Sequence, residues 1–174
     1  MRIDLHTHST ASDGELAPAA LVQFALARGL TTLALTDHDT IAGLDAAIAA
    51  ARGTSLDVIP GVELSADVEK AEVHVLGYFV DWRDARFLAR LEKFRAGRYG
   101  RAEKMAQKLT ALGAPISFAR VKEIAGDAAL GRPHVARALL EAGHVATIPE
   151  ACAKYIGRNG PAYVERFRLT PEDA

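Results

Sequence analysis

RIDLHTHSTASDGELAPAALVQFALARGLTTLALTDHD, residues 2–39, decides the fold. From Arg2 to His8, Ile3 and Leu5 alternate with Asp4 and His6, the period-2 pattern of a strand with unlike faces. Ser12-Asp13-Gly14 is turn chemistry. Pro18 then stands near the start of an amphipathic helix through Leu21, Val22, Phe24, Ala25 and Leu26, and Gly29 is its stop signal. Thr31–Thr36 is a buried-strand pattern that ends in the polar cluster Asp37-His38-Asp39. Working outward, Thr40 is placed to cap a second, alanine-rich helix ending near Gly53. Leu56–Pro60 is a third strand leading into Gly61-Val62-Glu63, and Val73–Val80 is a fourth. This β-α-β-α-β order, followed by one more strand, predicts parallel strands joined by crossover helices, an α/β architecture.

Beyond Asp81 the pattern becomes helical. One long helix is expected from about Asp84 to Leu112, interrupted at Gly97 and Gly100. Ser117 caps a short helix through Ile124, Gly131-Arg132-Pro133 opens another through His134 to Ala142, and a last one runs from Ile148 to Tyr155. Gly160–Val164 reads as extended. Thr170-Pro171-Glu172-Asp173 is a helix start, with a cap, a proline at the first helical position and acids in the first turn. Since the chain stops there, the expectation is the front part of a longer protein.

The 174 residues suffice for one domain with a real core. A net charge of −1 gives no global attraction to nucleic acid or anionic membrane, so an anionic substrate must be held by local groups. Cys152 is the single cysteine, which excludes an internal disulfide and a thiolate zinc cage. No secretory pattern opens the chain, and no apolar run reaches the roughly 18–20 residues of a membrane span. The sequence reads as soluble and cytoplasmic, with no membrane contact and no obligate protein partner evident.

Four of the six histidines sit at one kind of place. His6 and His8 are two apart on a strand, so their side chains share a face and can converge on one ion. Asp13 lies in the loop that follows. His38 closes the second strand, Glu63 the third, and His74 lies on the fourth. In a parallel α/β arrangement the strand C-termini form one rim, where catalytic residues gather. Each residue alone has an ordinary explanation, as a surface histidine, a cap or a core imidazole. Together they make a metal site whose nitrogen and carboxylate donors suit Mn²⁺, Zn²⁺ or Fe²⁺. Asp4 is a candidate to orient one of the ligands. Arg132 and His134, at a helix start that already favours anions, are candidates for binding a second phosphate. Lys93, Arg95, Arg98, Arg101 and Lys104 read as a solvated helix face, since only Phe94 and Tyr99 could stack with a base among them.

Asp4-Leu5-His6-Thr7-His8-Ser9, Ser12-Asp13-Gly14, Thr36-Asp37-His38-Asp39, Gly61-Val62-Glu63 and His74-Val75-Leu76-Gly77 resemble, in order and spacing, the motifs of the PHP (polymerase and histidinol phosphatase) family. Gly131-Arg132-Pro133-His134 and Gly160-Pro161-Ala162-Tyr163-Val164 resemble the branch of small nucleoside 3',5'-bisphosphate phosphatases that also trim RNA from its 5' end. The resemblance implies a distorted (β/α)7 barrel, present in part over 1–82, a helical insertion over 83–158, and a return toward the barrel over 159–174. It implies two or three divalent ions, Mn²⁺ foremost. His6, His8 and Glu63 would hold the first, Glu63 and His74 the second, and Asp13 and His38 a third. The family's later His and Asp-x-His have no counterpart here, which puts the C-terminal barrel portion outside this chain. The function implied is a metal-dependent phosphoesterase acting on 3',5'-bisphosphate nucleotides or the 5' ends of short RNA. Its water would be activated by the ions, with no other catalytic side chain. A histidinol-phosphate phosphatase and a non-catalytic, polymerase-associated metal-binding module are the alternatives.

Overall fold

The computed structural model describes residues 1–68 and 71–165. The elements run β1 (Ile3–Thr7), α1 (Pro18–Ala27), β2 (Thr32–Leu35), α2 (Leu44–Ala51), β3 (Asp57–Val68), β4 (Ala71–Tyr78), α3 (Ala85–Ala111), α4 (Phe118–Ala125), α5 (Arg132–Glu141) and α6 (Ile148–Ala151), which continues as a π-helical turn, Cys152–Ile156. Among the described residues, Met1–Phe94 form one compact unit and those from Arg95 onward a second. The division falls inside α3. The helix start expected at Thr170 lies outside the described residues.

The first unit carries a four-stranded sheet in the order β1-β2-β3-β4. β1 pairs with β2, and β2 with β3, in parallel, through the crossovers α1 and α2. Three consecutive residues of β2, Leu33, Ala34 and Leu35, are fully buried. A parallel strand covered on both faces has this continuous apolar run instead of an alternation. Val22, Leu33, Leu35, Leu44, Ala47 and Leu56 form the core between α1, α2 and the sheet. Pro18 occupies the first turn of α1, where its missing N–H costs no hydrogen bond, and Gly29 follows the helix with φ 71°.

Two expectations change here. Gly43, not Thr40, is the cap residue of α2, and Thr40 instead accepts the Ala42 N–H within the preceding turn (3.3 Å). β3 does not stop at Glu63. Its first half, Asp57–Pro60, pairs in parallel with Thr32–Leu35, and from Gly61 to Val68 it pairs antiparallel with β4. Only two residues separate β3 from β4, too few for the crossover that parallel pairing would need. Val62 and Leu64 are buried with Phe87, Leu91 and Phe94 of α3, whereas Glu63 and Ser65 point to the other face. That alternation was the sequence signal for the longer strand.

The second unit is helical. Met105, Leu109, Val121, Val135, Leu139, Ile156 and Ala162 are buried together at its centre. Ser117 accepts the Arg120 N–H (3.3 Å) and so caps α4, as its position in the sequence implies. Gly97 and Gly100 leave α3 unbroken. The stretch 160–164 is a turn followed by irregular chain and not an extended strand. Arg95, Arg98 and Arg101 are half-buried, whereas Lys93 and Lys104 are exposed, so the expected solvated face holds only for the lysines. Arg101 donates to the Val164 carbonyl (2.7 Å) and lies over the Tyr163 ring, where its charge meets the electron-rich face. None of the described helices is long and apolar enough to cross a membrane.

Candidate metal centre

β1 delivers His6 at its end and His8 just past it. The irregular register between Asp4 and Thr7 accompanies the bend of the chain into the following loop. His38 is carried past the end of β2, where its backbone bridges to Glu63: the Asp39 N–H reaches the Glu63 carbonyl (2.9 Å) and the Glu63 N–H the Asp37 carbonyl (3.2 Å). His74 sits opposite Ser65 in the antiparallel ladder, and so on the same sheet face as Glu63. The six residues drawn from the sequence, His6, His8, Asp13, His38, Glu63 and His74, are thereby brought to one place.

Glu63 is the floor of this place, with its side chain only 3% exposed, and the four imidazoles arc over it. Glu63 Oε2 lies 2.9 Å from His6 Nε2, 2.8 Å from His8 Nε2 and 3.4 Å from His38 Nδ1, while Oε1 meets His74 Nδ1. Asp13 closes the opposite side, 3.2 Å from His8 Nδ1 and 3.7 Å from His38 Nε2. Neighbouring rings along the arc stand 5.1, 4.6 and 5.0 Å apart. His6, half-exposed, forms the mouth. Burial opposes ionisation of Glu63, yet hydrogen bonds from His74, His8 and His6 carry its pKa far below the usual carboxylate range. Burial likewise works against a charged His8, and is outweighed by Asp13 and Glu63, which raise it to about 9. So many imidazole edges turned on one buried carboxylate place strong positive demand at a single point.

The donor atoms fall into three overlapping groups, each within 4.8 Å: His6, His8 and Glu63; His8, Asp13 and His38; and His38, Glu63 and His74. Nitrogen and carboxylate oxygen without thiolate fit a borderline divalent cation, which would accept the imidazole lone pairs and balance both acids. His8, His38 and Glu63 are each shared between groups.

Asp4 does not orient a ligand ring. Its carboxylate accepts the His6 backbone N–H (3.2 Å) at the exposed strand edge. Residues that the sequence reading passed over do the supporting work: Asp37, Ser9 and Ser12, all buried, and Asp39, whose Oδ1 accepts the Ser65 N–H (3.0 Å) from a left-handed backbone with φ 49°. The available signal was the neighbourhood: Asp37 and Asp39 flank His38, Ser9 follows His8, and Ser12 precedes Asp13.

Arg132 and His134 belong to the other unit. His134 Nδ1 accepts the Gly131 N–H (2.9 Å) and thereby caps α5 from inside its first turn. Arg132 lines a small cavity of that unit with Arg98, Arg101 and Gly131.

The chain is 40% identical to a 5'-3' exoribonuclease of Haemophilus influenzae over 164 residues, covering 94% of this chain and 60% of that protein. It is 36% identical over 173 residues to a 3',5'-nucleoside bisphosphate phosphatase of Chromobacterium violaceum, covering 99% of this chain and 61% of the relative. A solved Chromobacterium violaceum structure, described as an amidohydrolase with bound sulfate and no metal, superposes with a TM-score of 0.89 at 35% identity, covering 99% of this chain and 61% of the other. The chain thus spans about 60% of the length of the curated relatives it matches. The PHP domain model matches residues 4–160, nearly the whole described chain, and this protein belongs to the PHP domain family.

Proposed function

We propose that this chain supplies the metal centre of a phosphoesterase that hydrolyses nucleotide phosphate esters, with 3',5'-bisphosphate nucleotides and the 5' ends of short RNA as its substrates. The observation that carries this is the convergence of four imidazoles and Asp13 around the buried Glu63. The relatives named as an exoribonuclease and a bisphosphate phosphatase point the same way.

In this reading His6, His8 and Glu63 hold one divalent ion. Glu63 with His74 would hold a second, and Asp13 with His38 a third, Mn²⁺ being foremost among the candidate metals. Such ions, when bound, acidify water near neutral pH and neutralise phosphoryl oxygens. The protein's own part is positioning. Glu63 fixes the spacing of the sites because both of its oxygens are engaged and its backbone is locked to residues 37–39. The half-exposed His6 leaves the mouth open to a terminal phosphate. Arg132, with a planar fork suited to phosphate, and His134 at the same helix start are assigned to the second phosphate of the substrate.

The first unit is read as part of a distorted (β/α)7 barrel. Three parallel strands with crossover helices support this, as does the exposure of Ile3 and Leu5 on the edge strand β1. The helical stretch 83–158 is read as an insertion, and most of the return expected over 159–174 lies outside the described residues.

The test is phosphate release with Mn²⁺ present. Turnover of adenosine 3',5'-bisphosphate without turnover of histidinol phosphate is expected, and the reverse would overturn the substrate assignment. Arg132→Ala is expected to weaken bisphosphates more than monophosphates in kcat/KM, and equal losses would remove Arg132 from its role.

A further inference from the structure

We infer that Asp37 is a positioning residue that holds the group His8, Asp13 and His38 together as one unit. This rests on the metal-centre reading above.

Asp37 is 1% exposed and takes three hydrogen bonds from the loop after β1. Its Oδ1 accepts the Ser9 N–H (2.7 Å) and the Ser12 hydroxyl (2.6 Å), and its Oδ2 accepts the Ser9 hydroxyl (2.7 Å). Each contact lies one residue from a ligand: Ser9 follows His8, Ser12 precedes Asp13, and Asp37 itself precedes His38. Ser12 Oγ also stands 3.4 Å from His8 Nδ1. The Ser9 hydroxyl in turn accepts the Ala11 N–H (3.1 Å), and the Ser9 carbonyl accepts the Ser12 and Gly14 N–H groups (3.1 and 3.0 Å), so the whole turn hangs on this serine. Room for the carboxylate depends on Gly43, where a Cβ would come within 2.9 Å of Asp37 Oδ2 and 3.0 Å of Ser9 Oγ.

The other groups are held differently. Glu63 and His74 are set by the β3–β4 ladder, which Asp37 reaches only through its backbone carbonyl. Loss of the Asp37 side chain therefore releases Asp13 and its turn and leaves the ladder in place. Groups that orient ligands from behind typically matter by roughly 10–100-fold in metal affinity.

The experiment is a Co²⁺ titration of the metal-stripped full chain, read by equilibrium dialysis and by the visible absorption of bound cobalt. Asp37→Asn and Ser12→Ala are expected to weaken one equivalent of Co²⁺ by roughly 10–100-fold and the others, which share only His8 or His38 with it, by severalfold less. Asp13→Ala should lose that same equivalent, and adding Ser12→Ala to it should change nothing further. Uniform weakening of every equivalent, or parental binding with only a lower Tm, would show a plain structural brace and overturn the inference. Ser12→Ala removes a single hydroxyl and keeps the test open should the Asp37 variant fail to fold. A parent chain that binds no cobalt would overturn the metal-centre reading itself, an outcome distinct from the others.

Discussion

In the sheet unit, Ser9, Ser12, Thr36, Asp37, Asp39, Thr40, Glu63 and Ser65 are buried alongside the apolar core; in the helical unit every buried side chain among the described residues is apolar. Burying a polar group costs free energy unless it is hydrogen-bonded, and burying a charge costs more. The sheet unit meets this cost with a connected network. Asp37 is saturated by Ser9 and Ser12, Asp39 holds the Ser65 N–H, and Glu63 is ringed by imidazoles. In the helical unit the fully buried side chains are Leu, Val, Ile, Met and Ala in ordinary close packing, and charge enters as half-buried side chains such as Arg95, Arg98 and Arg101. One interior is organised for chemistry and the other for stability, so substitutions in the two should separate in what they disturb.

The largest effect is expected at Glu63. Glu63→Ala removes the carboxylate common to two of the three donor groups, and should lower phosphoesterase turnover by roughly a hundredfold or more while circular dichroism shows a retained fold. Full activity of this variant in metal-stripped protein would break the contrast at its chemical end. Next comes Leu139→Ala in the helical unit. The side chain is fully buried, so the change should cost about 2–5 kcal/mol by chemical denaturation and leave Co²⁺ affinity untouched. A parallel loss of metal binding would mean that the two interiors are not independent. Gly100→Ala sharpens the comparison from the other side. Nothing lies within 4 Å of a Cβ at this helical position, and alanine should stabilise the protein by up to about 1 kcal/mol.

The smallest effect concerns Glu141, which hydrogen bonds from Arg120 hold below the usual carboxylate pKa. A depressed folded-state pKa contributes stability above the unfolded value and loses it as pH falls through the folded one. Glu141→Gln should therefore lower Tm slightly at neutral pH, with the gap to the parent closing on acidification. The pair is solvent-exposed and screened, so salt should shrink the gap as well. A gap that widened in acid would reverse the sign of the argument.

How much of this was legible in advance differs by region for a physical reason. His6-Thr7-His8 and Thr36-Asp37-His38-Asp39 announce ligands because strand ends and turns are written in local period and composition. The β3–β4 ladder was missed where a parallel expectation overrode the plain alternation of Val62, Glu63, Leu64 and Ser65. The arginines of α3 were misassigned for the opposite reason. A charge on a helix looks solvated until the partner surface is known, and the carbonyl that receives Arg101 belongs to Val164, 63 positions later.

By itself, then, the sequence determined the strand–helix order of the first 60 residues and the chemical types able to bind a cation, since both depend on neighbours a few positions apart. Tertiary structure alone decided that His6 and Glu63, 57 residues apart, come within 2.9 Å, that Glu63 serves several imidazoles at once, and that Asp37 supports the site instead of Asp4. Those outcomes depend on strand register and on which polar groups are shut away from water together. No periodicity along one chain encodes either.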